Sequence, residues 1–550
     1  MITRKNKSRF MKADSIPESK FENFLNKYSY IFLFFILGFI GILRFRLLEI
    51  PLERDEGEYA YMGQLLLDGI PPYKLAYNMK LPGVYFIYSM VLFLFGQTIK
   101  SIHIGFLIAS ILNCFLIFTI LKKFFTTSLA IFTSLSFGVY ATSPYILGFA
   151  FHATHLMLFF FLIGNFFLLS YHESSSRIQL FIAGVFLGIS FLMKQQAIFL
   201  LLFAGVFLIF IHRKKSTGVL IRDESILIIA TLIPFLLTCF YLWKVGVFKE
   251  FWFWTFSYAS KYVAITSIQE GWKNLQTTVT ILSQGYKIYW ITAGLGVFSL
   301  PLIKMESNKK FYLYSLLLFS FLTTAPGFYF REHYFVPFLP SLIIFSGLFF
   351  IFAISFLEKK ISWKIITVLF LFLVFFLIRN GVNQFKSYYF KDSPEKISRV
   401  VYGANPFNEV LQLSEYIKKH SLENDSIFVL GSEPQTYFYT NRKSASGFIY
   451  MYPLMEEHPY AEELQIQLLK DLKEKKPKMI LFVNPKLNHS WGITKKSSKV
   501  LLEGISFEEY HKVAIAEIVS LEKTEYIFEP KLIANYKPST DYFVELYERN

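Results

Sequence analysis

Charge and cysteine are both scarce in this 550-residue chain. Charged residues make up 17%, against roughly 25% in an average soluble protein. The two cysteines, Cys114 and Cys239, both fall inside apolar runs. They supply neither a disulfide framework nor a zinc cage and leave the redox compartment open. The Walker pattern GxxxxGK[ST], the dinucleotide pattern GxGxxG and the elbow Gly-x-Ser-x-Gly are missing, as are internal repeats and low-complexity segments. What the chain does have is 54% hydrophobic and 19% aromatic residues, with 65 Phe. A water-soluble globule could not cover that much apolar surface. Disorder, collagen and a coiled coil are excluded by the same figures, so lipid is much of this protein's solvent.

Apolar stretches of roughly 17–25 residues are expected to cross the bilayer as helices. Eleven are found, at about 29–48, 101–121, 126–146, 151–170, 178–193, 195–211, 224–243, 283–303, 311–327, 334–354 and 361–379. The run 81–96 is short, begins at Pro82-Gly83 and reads as a re-entrant or interfacial helix. Residues 1–28 form a basic tail, followed by an uncleaved signal anchor. Placing that tail in the cytoplasm puts about twenty Lys and Arg in inner segments and about a dozen in outer ones. The net charge of +16 therefore reflects topology and anionic lipid, with no nucleic-acid partner. Eleven spans bring the C-terminal region outside, which in a bacterium is the periplasm. Arg44, Arg46 and Arg54 sit near the outer end of the first span, against the rule, and invite a functional explanation.

Composition changes after Arg379. Residues 380–550 alternate charged amphipathic stretches with short β-rich runs. Segments 426–431 and 479–483 read as buried strands, and 407–420 and 456–475 have helical spacing. The fold class is a polytopic α-helical membrane protein: tail 1–28, transmembrane core 29–379 with a first outer loop at 49–100, and a periplasmic α/β domain at 380–550. The sequon Asn488-His489-Ser490 is read as chance.

Between Leu52 and Lys391 the outer carboxylates are few, and five of eight crowd into one loop: Glu53, Asp55, Glu56, Glu58 and Asp68. Asp55 and Glu56 stand at a helix entry, ahead of Tyr59 and Tyr61; Pro71-Pro72 ends that helix and Lys80-Leu81-Pro82-Gly83 opens another. A partly desolvated carboxylate at the membrane surface has a raised pKa and suits a base. The alternative role for acids at a helix start is capping alone.

The Asp55-Glu56 pair followed by Tyr-Ala, the turn Gly69-Ile70-Pro71-Pro72-Tyr73 and the step Asn78-Met79-Lys80-Leu81-Pro82 resemble the first outer loop of the GT-C glycosyltransferases. The likeness is to the protein-mannosyltransferase and aminoarabinose-transferase type and covers about residues 30–350. It implies a GT-C-like membrane core and an inverting enzyme. Such an enzyme moves a sugar from a polyprenyl-phosphate carrier to an acceptor hydroxyl at the outer face. Asp55 matches the family's catalytic acid, with Glu56 beside it, and would take the hydroxyl proton during attack. The phosphate leaves as an anion and needs no proton, but it needs cations or donors. Lys80 matches the family's Lys before Pro. Arg331, His333 and Tyr334 fall in a segment like the family's Arg/His-Tyr-x-x-Pro. Lys194 is a lone cation between two apolar runs, suited to phosphate or to snorkelling. Arg331 and His333 are candidates for carrier contact or for an interfacial anchor.

One departure stands out. The family often places a second acid at the outer end of the third or fourth span, where this chain has Gly-Phe-Ala-Phe-His-Ala-Thr-His (148–155). His152 and His155, three apart, share a helix face and could assist the base, bind a metal or bond to backbone. With no third ligand apparent, no metal or other cofactor is expected. Segment 431–439, containing Glu433, is a structural turn or an acceptor-binding element; Tyr59, His152, His155 and Glu433 are the acceptor-side candidates. A transporter of lipid-linked sugars and a non-catalytic membrane-anchored binding protein are the rival readings. Sugar identity, acceptor (lipid, polysaccharide or protein) and oligomeric state are not encoded in any visible motif.

Overall fold

The apolar runs become helices because a backbone in lipid must satisfy its own hydrogen bonds. The protein is represented by a computed structural model that describes residues 19–550 apart from 264–265, 457, 488–498 and 534. The first eighteen residues of the tail and the 488–490 sequon lie outside the described residues. Each of the eleven expected segments contains a helix. Among the described residues, six helices are long and apolar enough to cross a membrane: Ile99–Phe124, Ala153–Ser174, Gln195–His212, Thr217–Lys244, Leu339–Leu357 and Trp363–Gln384. A seventh is added if Lys20–Lys27 and Ser29–Phe45, bent by 60° at Tyr28, count as one. Helices Thr127–Tyr140, Arg177–Met193 and Lys287–Leu302 are apolar but shorter. Gly83–Phe95 has 13 residues, about 20 Å of rise, well under the ~30 Å of hydrocarbon.

Small residues set the closest packing between helices. Gly184 and Gly188 are one turn apart on Arg177–Met193, and a Cβ on Gly188 would stand 2.2 Å from the Thr231 carbonyl of Thr217–Lys244. Arg44 answers the topology anomaly structurally. It is buried and donates to the Gly148 (2.8 Å) and Ala141 (3.1 Å) carbonyls, with Phe106 under its guanidinium. It ties the first apolar helix to the turn that carries His152.

The C-terminal part contains one six-stranded mixed sheet of order β2-β1-β3-β6-β4-β5. The strands are β1 (Ser426–Leu430), β2 (Lys443–Ser444), β3 (Met479–Val483), β4 (Tyr510–Ser520), β5 (Lys523–Ile527) and β6 (Phe543–Arg549). β1 runs parallel to β2 and β3, and the remaining pairs are antiparallel. The two runs read as buried strands are β1 and β3; the antiparallel half, with its charged alternation, was not legible. Helices Phe407–Lys419 and Ala461–Lys475 fall in the two segments with helical spacing.

The sheet does not hang free of the membrane core. Helix Gln435–Thr440 after β1 packs on Arg54–Leu67, where a Cβ on Gly57 would come within 2.5 Å of Gln435. Tyr61 stacks near Tyr437 and accepts from the Ser444 amide at 2.8 Å, and the Leu52 amide donates to Tyr439 at 2.8 Å. Ten of the fourteen residues of Arg54–Leu67 are buried. The first loop is therefore a layer packed between the helical core and the sheet domain.

Candidate active site

Glu53 opens the Arg54–Leu67 helix as its cap, its Oε1 accepting from the Glu56 amide at 2.9 Å. Capping thus belongs to Glu53, which leaves Asp55 in the first turn with its side chain 28% exposed. Lys80 reaches across from the following loop. Its Nζ lies 2.8 Å from Asp55 Oδ1 and 2.6 Å from Glu58 Oε2, above the ring of Tyr59. Local geometry holds Lys80 there: its carbonyl accepts from the Tyr73 hydroxyl at 2.7 Å, and its amide donates to Asn78 Oδ1 at 3.3 Å. Gly83 is needed three residues on, because a Cβ there would stand 2.5 Å from the Leu192 carbonyl. That contact seats the Lys80 loop against the break that carries Lys194. Gln195 fastens the same junction by donating to the Met79 carbonyl at 2.7 Å.

The electrostatics invert one sequence expectation. Burial alone would raise the Asp55 carboxyl, but the Lys80 ammonium, helped by Lys194, outweighs it and holds the group well below the usual carboxylate range. The raised carboxyls are its neighbours. Burial pushes Glu53 up, with Asp55 and Glu56 adding to it; burial also raises Glu58, only partly offset by Lys80. Lys194 has no carboxylate within hydrogen-bond reach among the described residues and sits 4.1 Å from the centre of the Tyr334 ring. Burial lowers its ammonium to about 7. Arg331 is exposed and lies near the Tyr329 ring.

The two histidines of the 148–155 segment part company. His152 is the last residue before helix Ala153–Ser174 and stacks on His333 (centroids 4.0 Å, planes 11° apart). Its Nδ1 lies 3.9 Å from Asp55 Oδ2. Burial drives it down to about 4, so it is neutral at physiological pH. His155, one turn into the helix, packs its ring edge on Phe106. It does not join the Asp55 cluster, because the chain turns at His152 and a shared helix face never forms.

Glu56 is also withdrawn from the reacting group. It is buried, and its Oε1 accepts from the Phe151 amide at 2.7 Å and meets His103 Nε2 at 3.1 Å. It positions the His152 turn. Glu433 is fully buried in a 3.0 Å ion pair with Arg54 and docks the sheet on the Asp55 helix. Tyr59, 1% exposed, is the floor beneath Lys80, out of reach of an acceptor. Three residues were not anticipated for the site. Glu58 anchors Lys80 from below. Tyr85 donates to Glu58 Oε1 at 2.7 Å. Tyr450, from the loop after β2, lies 3.1 Å from Glu58 Oε2. The crowding of acids in the loop was the available signal for Glu58; nothing in the local pattern marked Tyr450.

Asp55, His152 and His333 each offer one ligand atom, all within 4.8 Å of one another. Both nitrogens of His152 and Nδ1 of His333 lack hydrogen-bond partners among the described residues. Two imidazoles and one carboxylate suit a borderline divalent ion such as zinc. An ion held there would add positive charge beside Asp55.

Residues 79–243 match the dolichyl-phosphate-mannose-protein mannosyltransferase family; the match takes in Lys80, His152 and Lys194 and begins after Asp55. Among curated proteins none matches the sequence. In fold, the chain is similar to ArnT from Cupriavidus metallidurans bound to undecaprenyl phosphate. The TM-score is 0.55 at 13% identity, over 83% of this chain and 93% of that one. It is also similar to the archaeal oligosaccharyltransferase AglB from Archaeoglobus fulgidus in complex with an inhibitory peptide and a dolichol-phosphate. That TM-score is 0.53 at 9% identity, over 92% of this chain and 75% of that one. A protein-mannosyltransferase family model thus matches one part of this chain, and the fold as a whole resembles those of ArnT and AglB.

Proposed function

We propose that this protein is an inverting glycosyltransferase that moves a hexose or modified sugar from a polyprenyl-phosphate carrier to an acceptor hydroxyl. In this reading it resides in a bacterial inner membrane with eleven spans. The N-terminus is cytoplasmic and the 380–550 sheet domain periplasmic. The observation that carries the reading is a part-exposed, ionised Asp55 paired with Lys80, with Lys194 and Arg331 near enough for their charges to act on it.

The chemistry follows from that pairing. The acceptor oxygen attacks the anomeric carbon as the bond from that carbon to the phosphate oxygen breaks. The hydroxyl proton passes to Asp55, and the carrier phosphate departs as an anion stabilised by the cations. A carboxylate held far below its usual pKa is a weak base in the resting state. Lys80 supplies the remedy. A phosphate entering the site competes with Asp55 for its ammonium, and as Lys80 turns toward phosphate the basicity of Asp55 rises. The base is thus strengthened when donor is present. Glu58, fixed by Tyr85 and Tyr450, keeps Lys80 in place through the exchange. His152, neutral and stacked on His333, walls the base on its other side.

The test is transfer by purified protein in lipid nanodiscs, from a synthetic polyprenyl-phosphate hexose to envelope acceptors, read by mass spectrometry. Asp55→Asn protein that transfers at the wild-type rate would remove the mechanism. Carrier movement across the bilayer with no glycosidic bond formed would favour a transporter.

A further inference from the structure

At the end of the helical bundle away from Asp55, the chain builds a second charged cavity that the transfer reaction does not use. Helix Ile99–Phe124 connects the two ends: His103 near its start supports Glu56, and Lys122 and Lys123 close it. Its 26 residues rise about 39 Å. The cavity, about 290 Å³, is walled by Lys122, Lys123, Lys304 and Lys309, with Asn23 and Asn26 from helix Lys20–Lys27.

The cations outnumber what is there to answer them. Glu22 and Glu306 also line the cavity, but Glu22 is turned away. Its carboxylate accepts from the Thr127 (3.1 Å) and Ser128 (3.3 Å) amides and from the Ser128 hydroxyl, capping helix Thr127–Tyr140. Among the described residues no lysine of the four lies within 4.0 Å of a carboxylate. Lys122 donates once, to Ser29 Oγ at 2.8 Å, and Lys123 once, to Ser170 Oγ at 3.2 Å. An ammonium has three donors, so most of their capacity is open, and the ammonium groups of Lys304 and Lys309 make no hydrogen bond among the described residues.

We propose that this cavity binds the phosphate of an anionic membrane lipid in the leaflet opposite the active site. Tetrahedral phosphate oxygens match converging ammonium groups, and basic pockets between membrane helices are a recurrent form of headgroup site. A lipid is favoured over a soluble phosphate by the surface next to the cavity. Lys122 lies 4.1 Å from the centre of the Tyr30 ring. Tyr30, Ile31 and Phe34 are 74%, 54% and 73% exposed along Ser29–Phe45, a face on which acyl chains can lie. The 60° bend at Tyr28 turns Lys20–Lys27 away from that helix axis, bringing Asn23 and Asn26 over the headgroup position.

Native mass spectrometry of the full chain, titrated with phosphatidylglycerol or phosphatidylcholine, tests this. Phosphatidylglycerol is expected to be retained on the wild type in preference to phosphatidylcholine. Lys304→Gln/Lys309→Gln should weaken that retention about tenfold or more. Lys359→Gln/Lys360→Gln, which removes equal exposed charge outside the cavity, should leave it unchanged. Equal retention of the two lipids, or equal loss in both double variants, overturns the site. Inorganic phosphate that binds the wild type and displaces phosphatidylglycerol assigns the cavity to a soluble anion and overturns the lipid reading.

Discussion

Lys194 gives the sharpest test, because its environment sets both a pH and a magnitude. It stands in the break between two apolar helices, with Tyr334 beneath its ammonium and no acid within reach. Burial lowers it to about 7, and the nearby Asp55 charge only partly restores it. The proton is therefore bound below about pH 7 and released as the pH rises through that value. If the departing phosphate needs the charged form, kcat/KM has a basic limb near pH 7 and falls about tenfold for each pH unit above it. Donor phosphate stabilises the ammonium, so the limb in kcat lies at higher pH than the limb in kcat/KM. Lys194→Gln removes the limb. It also lowers kcat/KM at pH 6 by the worth of one charge-assisted hydrogen bond, about 1.5–3 kcal/mol or roughly 10- to 150-fold. Lys194→Arg retains activity and carries it to higher pH. The assay is initial-rate transfer in nanodiscs between pH 5.5 and 9. A basic limb that survives unchanged in Lys194→Gln would show that another group titrates there.

Asp55→Asn should lower kcat by about 10²–10⁴ while donor binding, measured by calorimetry, stays within a few-fold, since the cations remain. Gly83→Ala should destabilise the protein by about 1–3 kcal/mol, read as a lower melting temperature, because the new Cβ meets the Leu192 carbonyl at 2.5 Å. Glu433→Gln weakens the pair between buried Glu433 and part-exposed Arg54 and should cost about 1–3 kcal/mol; limited proteolysis should cut between core and sheet faster, and unchanged cleavage would deny the docking role. Lys80, Lys194 and Arg331 already supply charge to the phosphate, so chelation should leave transfer intact. Activity lost to a chelator and restored by zinc would assign Asp55, His152 and His333 to an ion instead.

Much of this protein is written in one dimension. Hydrophobic run length sufficed for the helices, since lipid leaves the backbone one way to satisfy itself, and the Asp55 loop stood out because carboxylates are so rare around it. Strands β1 and β3 were legible as continuous apolar runs; β4 to β6 were not, because their residues alternate and carry charge. The division of labour among the acids was decided only in three dimensions. Glu53, Asp55, Glu56 and Glu58 lie within six residues, yet one caps, one stays part-exposed beside Lys80, one clamps His103 and one seats Lys80. Helical rotation sends each to a different neighbour, and a pKa depends on that neighbour and on burial, neither of which local spacing contains. The same holds for His152 and His155, parted by a turn that precedes the helix, and for Tyr450, brought to Glu58 from 392 residues away by the packing of the sheet on the first loop.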